Sequence, residues 1–191
     1  GEDSRSLDLI LGVTTTAFGV GDVLSGLCEI EEAISSVDRT PGLYLMPPGA
    51  ETPLNREDFA DLLRKLEKEY DYILVDGARF QTLPVKAFGL FLMVTTPDSL
   101  SVRACADLSR RLYGKGAREI RLIINDVHPR VPPIEGAEDF DGVIDMIGAQ
   151  LLGVIPQSPK LRYSANSGMP LDDFSLTLKV FEHIAARLMG R

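Results

Sequence analysis

Cysteine is scarce in this chain, and the little there is does not pair. Cys28 and Cys105 are the only two in 191 residues. They lie far apart in helix-like contexts, in neither a CxxC pair nor a Cys/His cluster. That excludes a disulfide scaffold and a cysteine-based metal site, and reads as two reduced, packed thiols. Histidine is as sparse: His128 and His183 have no partner at ligand spacing and read as surface residues. No apolar run approaches the about 18 residues of a membrane-spanning helix, and no signal peptide is recognised, so a cytoplasmic location is expected. An excess of positive charge is lacking too. The formal net charge is −8, which argues against non-specific or direct nucleic-acid binding, because phosphate would be repelled. What remains is ordinary: 45% hydrophobic and 25% charged residues, enough for one domain with a full core.

Five short apolar runs organise the chain: Leu43–Met46, Tyr72–Val75, Phe91–Val94, Ile120–Ile124 and Leu151–Ile155. Four are nearly continuous rather than alternating, as expected of strands covered on both faces. Helical patterns separate them. Asn55 is a suitable N-cap for a helix carrying Phe59, Leu62, Leu63 and Leu66. Ser99 or Ser101 opens a second helix with Val102, Cys105, Leu108 and Leu112, closed by Gly114 and Gly116. Further helices are predicted over about 142–151, 176–189 and, before the first strand, 22–37. Strands alternating with helices imply βαβ crossovers and a mostly parallel sheet, with ligands beyond the carboxyl ends of its strands. Those ends hold Asp76, Thr95, Asp98, Asn125 and Pro156; the Pro-, Glu- and Gly-rich stretch 128–141 reads as a surface loop.

Asp76 follows a buried hydrophobic strand, the position from which many NTPases hold Mg²⁺ through water, although a turn or capping Asp reads equally well. Asn125 offers the paired donor and acceptor that suit a purine edge; a turn Asn is its plain alternative.

Ordered segments carry a more specific message. Arg5-Ser6-Leu7-Asp8-Leu9-Ile10-Leu11-Gly12, Asp71-Tyr72-Ile73-Leu74-Val75-Asp76, Thr95-Thr96-Pro97-Asp98-Ser99-Leu100-Ser101-Val102-Arg103, Ile124-Asn125 and Gly153-Val154-Ile155-Pro156 occur in one series. The series resembles the MinD/ParA family of deviant Walker A P-loop ATPases over nearly the whole chain, most closely its MinD-like septum-site members. The resemblance implies a three-layer αβα sandwich around a mostly parallel sheet. It implies binding of ATP and Mg²⁺, a homodimer when ATP is bound and slow hydrolysis. It also implies protein partners in the cell-division or positioning machinery, with peripheral membrane contact as an option. Carried over residue by residue, Asp76 is the catalytic and metal-linked acid, and Asn125, Pro156 and Gln157 are the nucleotide-binding residues. Ser101, Val102 and Arg103 are candidates for a dimer or partner surface.

Three departures stand beside these matches. No K-G-G-x-G-K-[ST] phosphate loop occurs; Tyr113-Gly114-Lys115-Gly116 follows a helix and precedes a strand, the reverse of what phosphate binding needs, and Gly19-Val20-Gly21-Asp22 is a helix entry. The expectation is a single P-loop NTPase-like domain, over 1–191, whose first strand and phosphate loop lie outside this stretch, or whose slot another segment fills. The family's Asp-(Thr/Ser)-Pro-Ala-Gly switch reads Asp76-Gly77-Ala78-Arg79-Phe80, and Asn125 is followed by Asp126 rather than a basic residue. Two functions therefore stand: an ATP-dependent switch, and a non-hydrolysing scaffold of the same fold that acts through protein–protein contacts. The last helix, from Leu176, fits core packing better than an interfacial role.

Overall fold

The computed structural model describes residues 6–13, 17–50, 55–76, 83–128, 139–169, 171 and 176–190. Two units divide the chain, Gly1–Ala87 with Leu161–Pro170 and Phe88–Lys160 with Leu171–Arg191.

The first unit contains helices α1 (Ser6–Leu11) and α2 (Val20–Leu24), a 3₁₀ turn at Ile30–Ala33, strands β1 (Ser35–Ser36) and β2 (Tyr44–Leu45), and helix α3 (Arg56–Leu66). Asn55 caps α3 as expected, its Oδ1 accepting from the Glu57 amide at 2.9 Å, and Phe59, Leu62 and Leu63 are buried. The long helix predicted over 22–37 does not form. Asp22 instead ties two segments together, its buried carboxylate accepting from the amides of Gly19 at 2.9 Å and Ala50 at 3.2 Å. The Val20 and Gly21 amides donate to the carbonyls of Pro47 and Pro48, both at 2.8 Å. With the two stretches laced in this way, α2 stops after five residues, where Gly26 turns left-handed. The Leu43–Met46 run yields only a two-residue strand, paired antiparallel with β1.

Among the described residues, Tyr72–Asp76 belongs to no sheet. Tyr72 and Leu74 are 64% and 82% exposed, while Ile73 and Val75 are half-buried. The period of two is that of a strand with one covered face. Hydrophobicity supplies the face, but a strand also requires a neighbour to take its amides and carbonyls. The predicted doubly covered strand is therefore not observed there.

One part of the first unit is contributed late in the sequence. Helix α6 (Pro159–Ser167), most of which belongs to this unit, ends at Gly168 (φ 62), and α1 ends at Gly12 (φ 63). These two left-handed glycines meet backbone to backbone: a Cβ on Gly12 would lie 3.0 Å from the Gly168 carbonyl oxygen, and one on Gly168 2.9 Å from the Gly12 Cα.

The second unit is a parallel three-stranded sheet in the order β3 (Phe91–Thr95), β4 (Ile120–Val127), β5 (Gln150–Pro156). Crossovers through α4 (Ser99–Gly114) and α5 (Phe140–Ile147) connect its strands, as the alternation of runs predicts. Asp98 caps α4 through the Ser101 amide at 2.9 Å; Asp139 caps α5 through the Gly142 amide at 2.7 Å. Gly148, left-handed, ends α5 short of the predicted boundary at 151 and lets β5 begin at Gln150. Val102, Cys105, Ser109 and Leu112 of α4 bury against the unit's interior, with Leu122, Ile124, Val143 and Ile147.

On β5 the register slips once, since Leu122 pairs with Leu151 but Ile123 with Gly153. Leu152 is the extra residue of this bulge, and its carbonyl is taken by Arg187 Nη1 at 2.7 Å, from helix α7 (Leu176–Leu188). Next to it Gly153 leaves room for the buried Ile184 of the same helix.

Candidate functional site

Parallel pairing aligns the carboxyl ends of β3, β4 and β5, and the polar residues at those ends are the ones the sequence singles out. Thr95 is buried and lies opposite Ile124, one residue before Asn125. Pro156 is opposite Val127, and the Gln157 amide donates to the Val127 carbonyl at 2.9 Å. Asn125, Pro156 and Gln157 therefore sit on adjacent strand tips in one unit. Asp76, the predicted metal-linked acid, is exposed at the end of the Tyr72–Asp76 segment in the other unit. Gly77, Ala78, Arg79 and Phe80, the altered switch, lie outside the described residues.

Asp126 interrupts the strand. Its φ of 57° makes it the one non-glycine residue in the left-handed region among the described residues, and a register shift falls between Ile124 and Val127. Asp tolerates that conformation better than most residues, and its exposed carboxylate stands directly after Asn125.

A cavity of about 530 Å³ opens beside the edge strand β3, lined by Leu92, Val94 and Thr95, by Ala104 and Cys105 of α4, and by Asn125. Val94 is 58% exposed although it sits within the strand, one residue before its end. Burial pushes the Cys105 thiol up to about 11, so this sulfur is an apolar wall and no nucleophile. The cavity's α4 wall, small residues at Ala104 and Cys105, was not marked by sequence reasoning. Only their shared helix face with Ser101 and Leu108 could have marked it.

At the mouth of α4, Thr96 donates its hydroxyl to Asp98, and Ser101 adds its amide. These bonds to the charged form hold the Asp98 carboxyl down at about 2. Of the suggested surface residues, Val102 is fully buried and belongs to the core, while Ser101 faces the cavity. Arg103 alone of the three is exposed. No cluster of metal-ligating side chains occurs among the described residues, and none of their helices is long and apolar enough to cross a membrane.

No family model matches the chain. The MinD-type septum site-determining protein of Emiliania huxleyi is 31% identical over 198 residues, covering 97% of this chain and 72% of that protein. In structure, the MinC:MinD cell division protein complex of Aquifex aeolicus superposes with a TM-score of 0.88 at 27% identity, covering 98% of this chain and 79% of the solved one. The septum site-determining protein MinD of Pyrococcus horikoshii, solved with Mg-ADP, superposes with a TM-score of 0.78 over 96% of this chain and 78% of its own; at 22% identity it speaks to the fold. Strand order, crossovers and these likenesses give the αβα P-loop NTPase fold anticipated from the sequence, and the extent and identity of the match place the chain in the MinD family.

Proposed function

We propose that the protein is a MinD-like nucleotide switch of the cell-division machinery, binding Mg-ATP, dimerising in the ATP-bound state and hydrolysing slowly. The observation that carries this reading is the alignment of Asn125, Pro156 and Gln157 on neighbouring strand tips in a chain of this family. In this reading the Asn125 carboxamide meets the base, Pro156 and Gln157 flank it, and Asp76 holds Mg²⁺ through water. The Mg-ADP carried by the Pyrococcus horikoshii relative supports the choice of ligand, and the MinC:MinD complex supports protein partners in division. The 191 residues contain no phosphate loop. The reading therefore assigns the phosphate cradle and its strand to a segment outside them. β3 is an edge strand among the described residues, with Val94 exposed and a cavity at its side, and is suited to accept such a strand. A cytoplasmic protein that visits the membrane surface fits this reading.

Fluorescent ATP titrated into the intact protein with millimolar Mg²⁺ tests it. Binding is expected, weakened about tenfold by Asn125→Ala through loss of a half-buried hydrogen-bonding group. Asp76→Ala is expected to remove the Mg²⁺ dependence. No binding at millimolar Mg-ATP would refute the switch. It would leave the second reading, a scaffold without hydrolysis, which Asp126 after Asn125 favours because a carboxylate repels phosphate.

A further inference from the structure

The residue after Asn125 is held in an unusual conformation. In a regular strand the side chains of residues 125 and 126 point to opposite faces. At Asp126 φ is 57°, which breaks that alternation, and the register with β5 shifts between Ile124 and Val127. Pairing resumes at Val127, which lies opposite Pro156 and whose carbonyl accepts from the Gln157 amide. Asp126 is therefore bracketed by Asn125 on one side and, on the other, by the residue that fixes Pro156 and Gln157.

A left-handed residue other than glycine is strained, and such residues cluster at ligand sites. Asp commonly offsets the strain with a local hydrogen bond from its carboxylate to the backbone. Here the side chains of Asn125 and Asp126 make no hydrogen bond or ion pair among the described residues. The strand tip thus presents a half-buried carboxamide, able to donate and to accept, next to an exposed carboxylate that only accepts.

These two groups match one purine better than the other. Guanine has an acceptor, its 6-oxygen, followed along the same edge by two donors, the ring N–H and the 2-amino group. The carboxamide donates to the first, and the carboxylate takes both donors through two parallel bonds. Adenine has one donor, its 6-amino group, beside a ring nitrogen whose lone pair faces a carboxylate with repulsion.

We propose that Asp126 is a specificity-determining residue that opens the base site to guanine, so that GTP binds at least as tightly as ATP. The assignment rests on the nucleotide site proposed above, and concerns which base is chosen there. Triphosphate and Mg²⁺ are common to ATP and GTP, so the ratio of their affinities cancels the contribution of the phosphate cradle. It cancels any repulsion between Asp126 and phosphate as well. Because Asp126 is exposed, water competes for both bonds, and each is worth about tenfold, far below the roughly ten-thousand-fold discrimination of fully buried partners.

The test is competition binding to the intact protein with millimolar Mg²⁺. ATP labelled on its ribose is the fluorescent probe, and ATP, GTP, ITP and XTP are the competitors. The base of ITP keeps the ring N–H of guanine and lacks the 2-amino group; the base of XTP has a carbonyl in its place. GTP should displace the probe at least as well as ATP, and ITP about tenfold less well than GTP, for the loss of one bond to a charged acceptor. Asp126→Asn keeps the size of the side chain and its tolerance of the left-handed backbone, but exchanges one acceptor for a donor. It should remove the preference for GTP over ITP and bring XTP above GTP. Asp126→Gly relaxes the backbone and has no side chain, so it should erase the difference between GTP and ITP with stability kept or raised. A merely structural Asp126 would leave the ranking of the bases as it is. Probe binding with GTP a weaker competitor than ATP, or a GTP-to-ITP ratio that is the same in wild type and both variants, overturns the assignment and leaves the switch standing. Absence of probe binding overturns both.

Discussion

Replacing Gly153 by alanine puts the packing between β5 and α7 to a direct test. A Cβ at residue 153 would lie 2.5 Å from Ile184 Cγ1 and 2.8 Å from its Cδ1. Carbon contacts are comfortable at about 3.5–4.0 Å, so the overlap is about 1 Å. Ile184 is buried and cannot swing into water. It must leave its rotamer or push α7 outward, and such overpacking costs about 1–3 kcal/mol. The alanine also restricts the unfolded chain, which returns about 0.5–1 kcal/mol. The net expectation is a loss of about 1–2 kcal/mol, a fall of about 3–6 °C in Tm for a chain of this size. Urea unfolding followed by far-ultraviolet circular dichroism reads the first quantity. The double-mutant cycle with Ile184→Ala reads the cause. Ile184→Ala alone leaves a cavity and costs about 2–5 kcal/mol, but in its presence the new methyl group has space. Gly153→Ala should then be neutral or mildly stabilising, a coupling of at least about 1 kcal/mol. If the two effects simply add, the collision is not what makes glycine necessary there.

Arg187→Ala removes the donor from the bulge carbonyl of Leu152 and should cost about 1–3 kcal/mol in the same urea assay, with lysine recovering part of the loss. Asp98→Ala should cost about 1 kcal/mol of cap stability. Because the folded-state carboxyl is held at about 2, below its ordinary value of 3.8, its contribution is complete above pH 3.8 and disappears as pH falls toward 2; urea midpoints of wild type and Asp98→Ala should converge over that interval. Asp22→Asn should lower stability by about 1 kcal/mol, because the amides of Gly19 and Ala50 share Asp22 Oδ2 and a neutral carboxamide oxygen in its place is a weaker acceptor than a carboxylate, and hydrogen exchange at those two amides should speed up. Gly21→Ala should be worse than Asp22→Asn in the same assay, since its Cβ would meet the Ala50 carbonyl oxygen at 2.0 Å, where no side chain can yield.

Much of the second unit could be read from residues alone. Phe91–Val94, Ile120–Ile124 and Leu151–Ile155 become the three strands because each is a nearly continuous apolar run, broken in the second only by Arg121, and is bounded by a turn or cap. The N-cap of α3 and the glycine stop of α4 follow from local chemistry that needs no tertiary help. The failures share one cause. Asp22 has the look of a helix residue, but a carboxylate that can take two amides from separate loops gains more there than inside a helix, and no short sequence window contains both Gly19 and Ala50. Tyr72–Val75 has the composition of a strand, and pairing is not a property of composition. For the site, the residue types at the strand tips were legible. Val102 shares its helical phase with the buried Cys105, Ser109 and Leu112, which puts it in the core and not on the surface suggested for it. The left-handed turn at Asp126 leaves no trace in residue type beyond the tolerance of Asp for it.

The meeting of Gly12 with Gly168 has a consequence for how the protein is made. A ribosome releases residues 1–87 long before Leu161–Pro170 emerges, so the end of α1 waits through the synthesis of most of the second unit before its neighbour exists. The second unit is itself incomplete until α7 appears after that same insertion. Neither unit can finish during synthesis of the residues before it, and both close only once Leu161 to Leu188 is out, which makes that stretch the timing element of folding.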